Sequence, residues 1–139
     1  MKWITKNGRE VDFPIHRYYI DWDKPTRSKE QDMVKTFLRL HCKSHVILEE
    51  AKIPNEKIFV DFIDLTLKMA IEHQSSKNGH HMAFNKFFHK SKNGFLKSLK
   101  RDEDKRAALE RNGFVLVETF KENLPLTPDF FWREYQIRI

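Results

Sequence analysis

The residues best placed to do chemistry begin with Asp61, the lone charge inside Ile58-Phe59-Val60-Asp61-Phe62-Ile63. This run reads as a buried strand. Strand side chains alternate faces, so Asp61 shares a face with Phe59 and Ile63. A carboxylate there is costly unless it is paired or binds a metal ion. The plain alternative is a strand end that reaches solvent. Glu72 and Gln74 lie two residues apart, on one face of the next strand. With Asp61 they offer two carboxylates and an amide from neighbouring strands. That oxygen set suits Mg²⁺, which keeps waters and takes one or two carboxylates plus substrate phosphate. An exposed hairpin face with ordinary polar residues would carry the same spacing.

Two further features have the right chemistry. In a helical reading, Leu99, Asp102, Arg106 and Leu109 fall on one stripe at steps of three or four. Asp102 then points near the apolar side, unless it marks the solvated edge or pairs with Lys105 or Arg106. His80 and His81 are adjacent in a loop marked by Asn78-Gly79. Near neutral pH an imidazole acts as a general base or hydrogen-bonds a phosphate, though adjacent histidines also occur in plain surface loops. Their spacing matches no zinc motif.

The chain that must position these groups has 139 residues, 40% of them hydrophobic and 33% charged, which is one domain with a core of its own. A single cysteine, Cys42, excludes an internal disulfide framework and any multi-cysteine zinc site, and points to a reduced, cytoplasmic setting. The apolar runs are too short to span a bilayer, and the first residues have no signal-peptide core. The formal charge of +6 favours a polyanionic partner. The cations crowd between residues 75 and 106, where Lys77, Lys86, Lys90 and Lys92 precede the helix and four of the seven histidines fall close by.

Periodicity and punctuation predict the elements. Residues 1–26 form an irregular or β-containing arm. A helix over 27–43 starts at Ser28, with Gln31 completing a capping box and Met33, Phe37 and Leu40 as its apolar stripe. Strands follow at 45–49, 57–64 and 67–74, the last two as a hairpin. A loop covers 75–81, and 84–89 is a short helical piece. A helix over 95–111 closes at Asn112-Gly113 before a strand at 114–118. The tail carries a short helix with Pro128 in its first turn. The order is αβββαβ, a mixed α/β domain with one β-sheet flanked by helices. It divides into an arm (1–26), a core (27–120) and a tail (121–139).

Taken together, the pattern resembles the PD-(D/E)XK nuclease superfamily, and within it the small endonucleases related to the very-short-patch-repair enzyme and their phage-type relatives. The resemblance rests on Asp61-Phe62, an acidic residue eleven positions on at Glu72, and a histidine soon after, at His81 or His80. It continues in a helix reading Asp102, Lys105, Leu109 and Gly113 before an apolar strand. It spans roughly residues 27 to 120 and implies a restriction-endonuclease-like core.

The resemblance makes Asp61 the central metal ligand and Glu72 the second acidic ligand. Gln74 takes the place usually held by a lysine, although an amide can neither act as a base nor carry charge. Glu30 resembles the acidic residue that often completes the site, with Glu49 and Glu50 fitting the order less well. Asp102 would orient a histidine or reach the metal through water, and His81 would take or donate a proton. Lys77, His80, Lys86, Lys90 and Lys92 would hold the nucleic-acid backbone. Phe84, Phe87 and Phe88 would wedge into a DNA step or, more plainly, pack in the core.

The expected activity is metal-dependent hydrolysis of DNA phosphodiester bonds with Mg²⁺, or Mn²⁺ in its place, as in a phage or homing endonuclease. The expected partners are double-stranded or branched DNA, no membrane and, for cutting both strands, a second copy of the chain. Two other readings stay open: a non-catalytic DNA-binding module on the same fold, and a nuclease subunit that needs a partner chain.

Overall fold

Two helix ends and one hairpin are written into local chemistry, and the rest of the fold is built between them. The computed structural model describes residues 1–74 and 92–139, without the side chains of 92–95 and 98. Helix α1 (Lys29–Cys42) begins where expected, with the Ser28 side chain accepting from the Gln31 N–H at 3.1 Å. Helix α2 (Lys92–Arg111) ends where expected. Gly113 adopts φ +83° and donates to the Glu110 carbonyl, while Phe114 donates to the Leu109 carbonyl. This Schellman closure needs the left-handed conformation that glycine adopts without strain.

The short strands β1 (Lys2–Ile4) and β2 (Glu10–Asp12) form an antiparallel hairpin in the arm, followed by a 3₁₀ turn over Ile15–Tyr18. Strands β3 (Ile47–Lys52), β4 (Phe59–Asp64), β5 (Met69–Gln74) and β6 (Val115–Phe120) make one sheet in the order β3-β4-β5-β6. The first two pairings are antiparallel and β5–β6 is parallel. The sheet is therefore mixed, with α2 as the crossover between its parallel strands. Helix α3 (Pro128–Tyr135) closes the chain, with Thr127 as its N-cap and Pro128 in the first turn. The order αβββαβ holds from α1 to β6. Strand β3 begins two residues later than expected, because His45 belongs to the turn leaving α1. Strand β5 likewise begins at Met69, because Asp64 Oδ1 accepts from the Thr66 and Leu67 amides and holds the β4–β5 turn.

Both faces of the sheet are covered. Leu48, Ile63, Ala70 and Leu116 form one row across it, packed against Trp3 and Phe13 of the arm and Ala108 and Leu109 of α2. Phe62, Ile71 and Val117 form the opposite row, packed against Val34, Phe37 and Leu38 of α1 and Phe130 and Phe131 of α3. The α1 stripe thus differs from the expected one. Met33 and Leu40 are 41% and 75% exposed, and Phe37 is the one expected position that is buried. Helical rotation places Val34 and Leu38 beside Phe37, so Met33 and Leu40 flank the contact instead of filling it.

The arm is tied down at both ends. The Ile4 N–H donates to Asn112 Oδ1 at 2.7 Å, and Asn112 Nδ2 donates back to the Ile4 carbonyl. Farther on, Ile20 donates to Ile47, and Tyr19 bridges Leu48 at the edge of β3. Lys35, buried in α1, donates to the Asp21 and Lys24 carbonyls and to Glu49, fixing the loop that leads to α1. Among the described residues no helix is long and apolar enough to cross a membrane.

One strand tests this architecture. Phe62 is 1% exposed and Phe59 is 55% exposed. Phe62→Ala should lower stability by about 3–5 kcal/mol and Phe59→Ala by less than about 1 kcal/mol, read from urea unfolding at fixed pH. Equal losses would contradict the exposure of Phe59 at the start of β4.

Candidate active site

The expected acidic pair meets where the β4–β5 ladder stops. The last backbone pair is Phe62↔Ile71, so Asp61 and Glu72 come next in register. There the strands part, and the carboxylates take the place of the missing partners. The Asp61 N–H donates to Glu72 Oε1 at 2.9 Å, and the His73 N–H donates to Asp61 Oδ2 at 2.9 Å. Beyond this point, among the described residues, β5 stays paired with its parallel partner as far as Gln74↔Phe120.

Each carboxylate also meets a cation from outside the sheet. Asp61 Oδ1 accepts from Arg27 Nη2 at 2.9 Å, and Glu72 Oε2 lies 2.9 Å from Lys105 Nζ. Arg27 Nε also pairs with Glu50 Oε1 at 3.0 Å, and Gln31 donates to the same oxygen. Glu50 lies opposite Asp61 in the β3–β4 register and has φ +53°, an unusual value for a non-glycine residue inside a strand. A chain of charge therefore runs Glu50–Arg27–Asp61, beside the pair Glu72–Lys105.

Asp61 is 6% exposed, and the Glu72 side chain is 12% exposed. Burial raises the pKa of Asp61, with Glu50 adding to the rise, while the His73 amide, Arg27 and Lys105 oppose it. Burial, then the Asp61 charge, push Glu72 up to about 7 against the pull of Lys105. The two carboxylates make an electron-rich site short of solvent, in which the Asp61 charge makes it harder for Glu72 to ionise.

The other expected residues divide between the two sides of β5. Gln74 and Asp102 line a small cavity with Glu72, Lys105 and Glu118, so these two join Glu72, while Asp61 is not in its lining. Asp102 is half-buried on the sheet-facing side of α2. Arg106, placed on the same stripe by spacing, is exposed and pairs with Glu118 at the rim. Glu30 lies on the opposite side. Its Oε1 is 2.7 Å from His73 Nε2, and the other ring nitrogen lies 2.8 Å from Thr119 Oγ1. Glu30 thus reaches the pair through His73, whose own amide holds Asp61. His80, His81, Lys77, Lys86 and Lys90 lie outside the described residues, as do Phe84, Phe87 and Phe88. Lys92 is the first residue of α2.

The sequence singles out neither Arg27 nor His73, offers Glu50 only as a poorer fit by order, and does not foretell the ion pair of Lys105 with Glu72. His73 sits between two singled-out residues, Glu72 and Gln74, so its proximity was readable, although its ring faces the other way. The role of Lys105 was readable only as a motif position. Nothing local marks Arg27 or the backbone of Glu50. A cavity of about 470 Å³ adjoins the site, lined by Arg17, Tyr18, Tyr19, Lys24, Arg27 and Glu50 among others.

No protein-family model matches the chain, and no solved structure matches it. A curated protein of Invertebrate iridescent virus 3, the uncharacterized protein 033L, is 33% identical over 66 residues. The match covers 48% of this chain and spans about a third (32%) of that protein's length.

The raised pKa of Glu72 has a stability consequence. Its folded value, about 7, exceeds its ordinary value of 4.5. The group therefore favours folding fully below about pH 4.5, and that contribution is lost as pH rises towards 7. The loss is on the order of 3 kcal/mol. Glu72→Gln should flatten this part of the stability profile, measured by urea unfolding in chelator from pH 4.5 to 7.5. Parallel profiles for wild type and variant would mean that Glu72 ionises as an ordinary surface carboxylate.

Proposed function

We propose that the chain is a metal-dependent DNA endonuclease with a restriction-endonuclease-like core. The observation that carries this reading is the Asp61–Glu72 pair. Two mostly buried carboxylates from neighbouring strands interlock through each other's strand amides and face a lysine and an arginine. A site that served stability alone would do better with apolar side chains, because buried ion pairs often cost more in desolvation than they return.

The donor set fits a hard divalent cation. It consists of carboxylate oxygens in surroundings poor in water; burial raises the hold of both acids on a proton, and the Asp61 charge adds to that of Glu72. A cation relieves the same excess of negative charge. Asp61 and Glu72 would hold Mg²⁺, or Mn²⁺ in its place. When bound, the ion supplies an acidified water and charge neutralisation at the phosphate under attack.

The chain's own residues do the rest. Lys105 supplies, from α2, the cationic donor that Gln74 cannot provide at the strand position. Its ammonium stands against Glu72, placed to meet an anionic phosphate oxygen. Arg27, more than half exposed, is free to turn its fork from Glu50 to a backbone phosphate while staying near Asp61. Arg17 and Lys24 add cations along the adjoining cavity, where Asp21, Glu49 and Glu50 also lie. Gln74 and Asp102 would orient water or substrate beside Glu72. His81 takes the proton-transfer role, and the lysines between residues 77 and 92 the backbone contacts. A viral or phage setting, inside an infected cell, accords with the similarity to a viral protein.

The test is cleavage of supercoiled and branched DNA in Mg²⁺ or Mn²⁺, against a chelator control. Wild type should nick or linearise the DNA only with metal. Asp61→Ala and Glu72→Ala should each lose more than about 100-fold in rate while still binding DNA. Lys105→Ala should lose about 10- to 100-fold. Full activity in either acidic variant would overturn the site. DNA binding that ignores metal, with no cutting of any substrate, would make the chain a binding module instead.

A further inference from the structure

At the far end of β4, three residues beyond Asp61, a second group of ligand atoms converges. Cys42 is the last residue of α1, His45 follows in the turn, and Asp64 is the last residue of β4. The thiol sulfur, an imidazole nitrogen and a carboxylate oxygen all lie within 4.8 Å of one another. His45 Nδ1 is 2.7 Å from Asp64 Oδ2.

The backbone holds these groups in place. The His45 N–H donates to the Cys42 carbonyl at 2.9 Å, closing the turn that brings the ring back over the helix end. Asp64 Oδ1 is fully used by the Thr66 and Leu67 amides, which leaves Oδ2 as the oxygen that faces the cluster. Cys42 is completely buried and Asp64 is 2% exposed. The His45 side chain is 20% exposed, which opens one path from solvent.

We propose that Cys42, His45 and Asp64 form a binding site for a borderline-soft divalent cation of the zinc class. One thiolate, one imidazole and one carboxylate are the three ligand types zinc takes, with water in a fourth position. A thiolate ligand discriminates against Mg²⁺ and Ca²⁺, so this site differs in kind from the all-oxygen pair at Asp61 and Glu72. Ligand atoms around a tetrahedral zinc are about 3–4 Å apart, given bonds of about 2.0–2.3 Å. With its ligand atoms within 4.8 Å of one another, the cluster would need to close by about 1 Å to reach this spacing. Burial and the Asp64 charge push the Cys42 thiol up to about 11. The site also sits at the C-terminal end of α1, where the helix dipole favours positive charge.

The bound ion would clamp the end of α1 to the end of β4. Those elements carry Glu30 and Gln31 at one end of the helix and Asp61 on the strand. The role is structural, and it stands or falls independently of the nuclease reading.

The experiment is a titration of the full chain, freed of metal by chelator, with Co²⁺ and then Zn²⁺. Co²⁺ should produce a thiolate-to-cobalt charge-transfer band in the near ultraviolet that saturates at one equivalent, and Zn²⁺ should bleach that band. Millimolar Mg²⁺ should leave the band intact, and so should Asp61→Ala. Cys42→Ser should abolish the band. His45→Ala, a change at a partly exposed position that spares the core, should weaken Zn²⁺ binding by about 100-fold or more. Zn²⁺ should raise the urea midpoint of wild type and leave that of His45→Ala unchanged. Co²⁺ uptake without the thiolate band, a band unaltered in His45→Ala, or no uptake at all would each overturn the proposal.

Discussion

The structure depends on the place where β4 and β5 stop pairing. Two antiparallel strands that separate inside a domain leave buried amides without partners, and an unpaired buried amide is costly. Here the side chains of Asp61 and Glu72 accept those amides, one from each strand. The exchange ends the ladder without an orphaned donor. It also draws two carboxylates into one water-poor space, and that creates the need for Arg27 and Lys105.

From this point the rest of the site follows. Arg27 belongs to the segment leading into α1, and Lys105 to the crossover helix between the parallel strands. The two cations therefore come from opposite sides of the sheet's edge, and each layer must dock correctly for the acids to be compensated. The buried Lys35, which ties the arm's carbonyls to Glu49, sets the segment from which Arg27 reaches Asp61. His73 links the two faces: its amide serves Asp61, and its ring joins Glu30 to Thr119. Packing on the α1 face is thus coupled to the geometry of the acidic pair through His73, as it is through Gln31, Glu50 and Arg27.

The parts of this design that were legible are those governed by neighbours in sequence. The Ser28 cap and the Gly113 closure are local hydrogen-bond chemistry, and both lie where the sequence implies. The central strands stand out by their apolar runs, and Asp61 stands out as a charge that such a run should not contain. The α1 stripe was misjudged because Met33, Val34, Phe37, Leu38 and Leu40 present apolar groups over a wide arc. Which of these meets the sheet is decided by what docks there. The arm is legible only as irregular or β-containing, and its hairpin is not, for a similar reason. Its strands are three residues long, and their anchor is Asn112, 108 positions away from Ile4.

The sequence alone determined the order of the elements, the presence of an acid on each of two neighbouring strands, and the excess of positive charge. These are properties of composition and period, which the chain carries before it folds. Tertiary structure alone decided that Glu50 and Arg27 join Asp61, that Lys105 takes the cationic place beside Glu72, and that Glu30 reaches the pair only through His73. It also brought Cys42, His45 and Asp64 together at the other end of β4. Such meetings depend on strand divergence, helix rotation and the docking of distant segments. Those are set by which buried amides and charges find partners, and not by any residue's immediate neighbours.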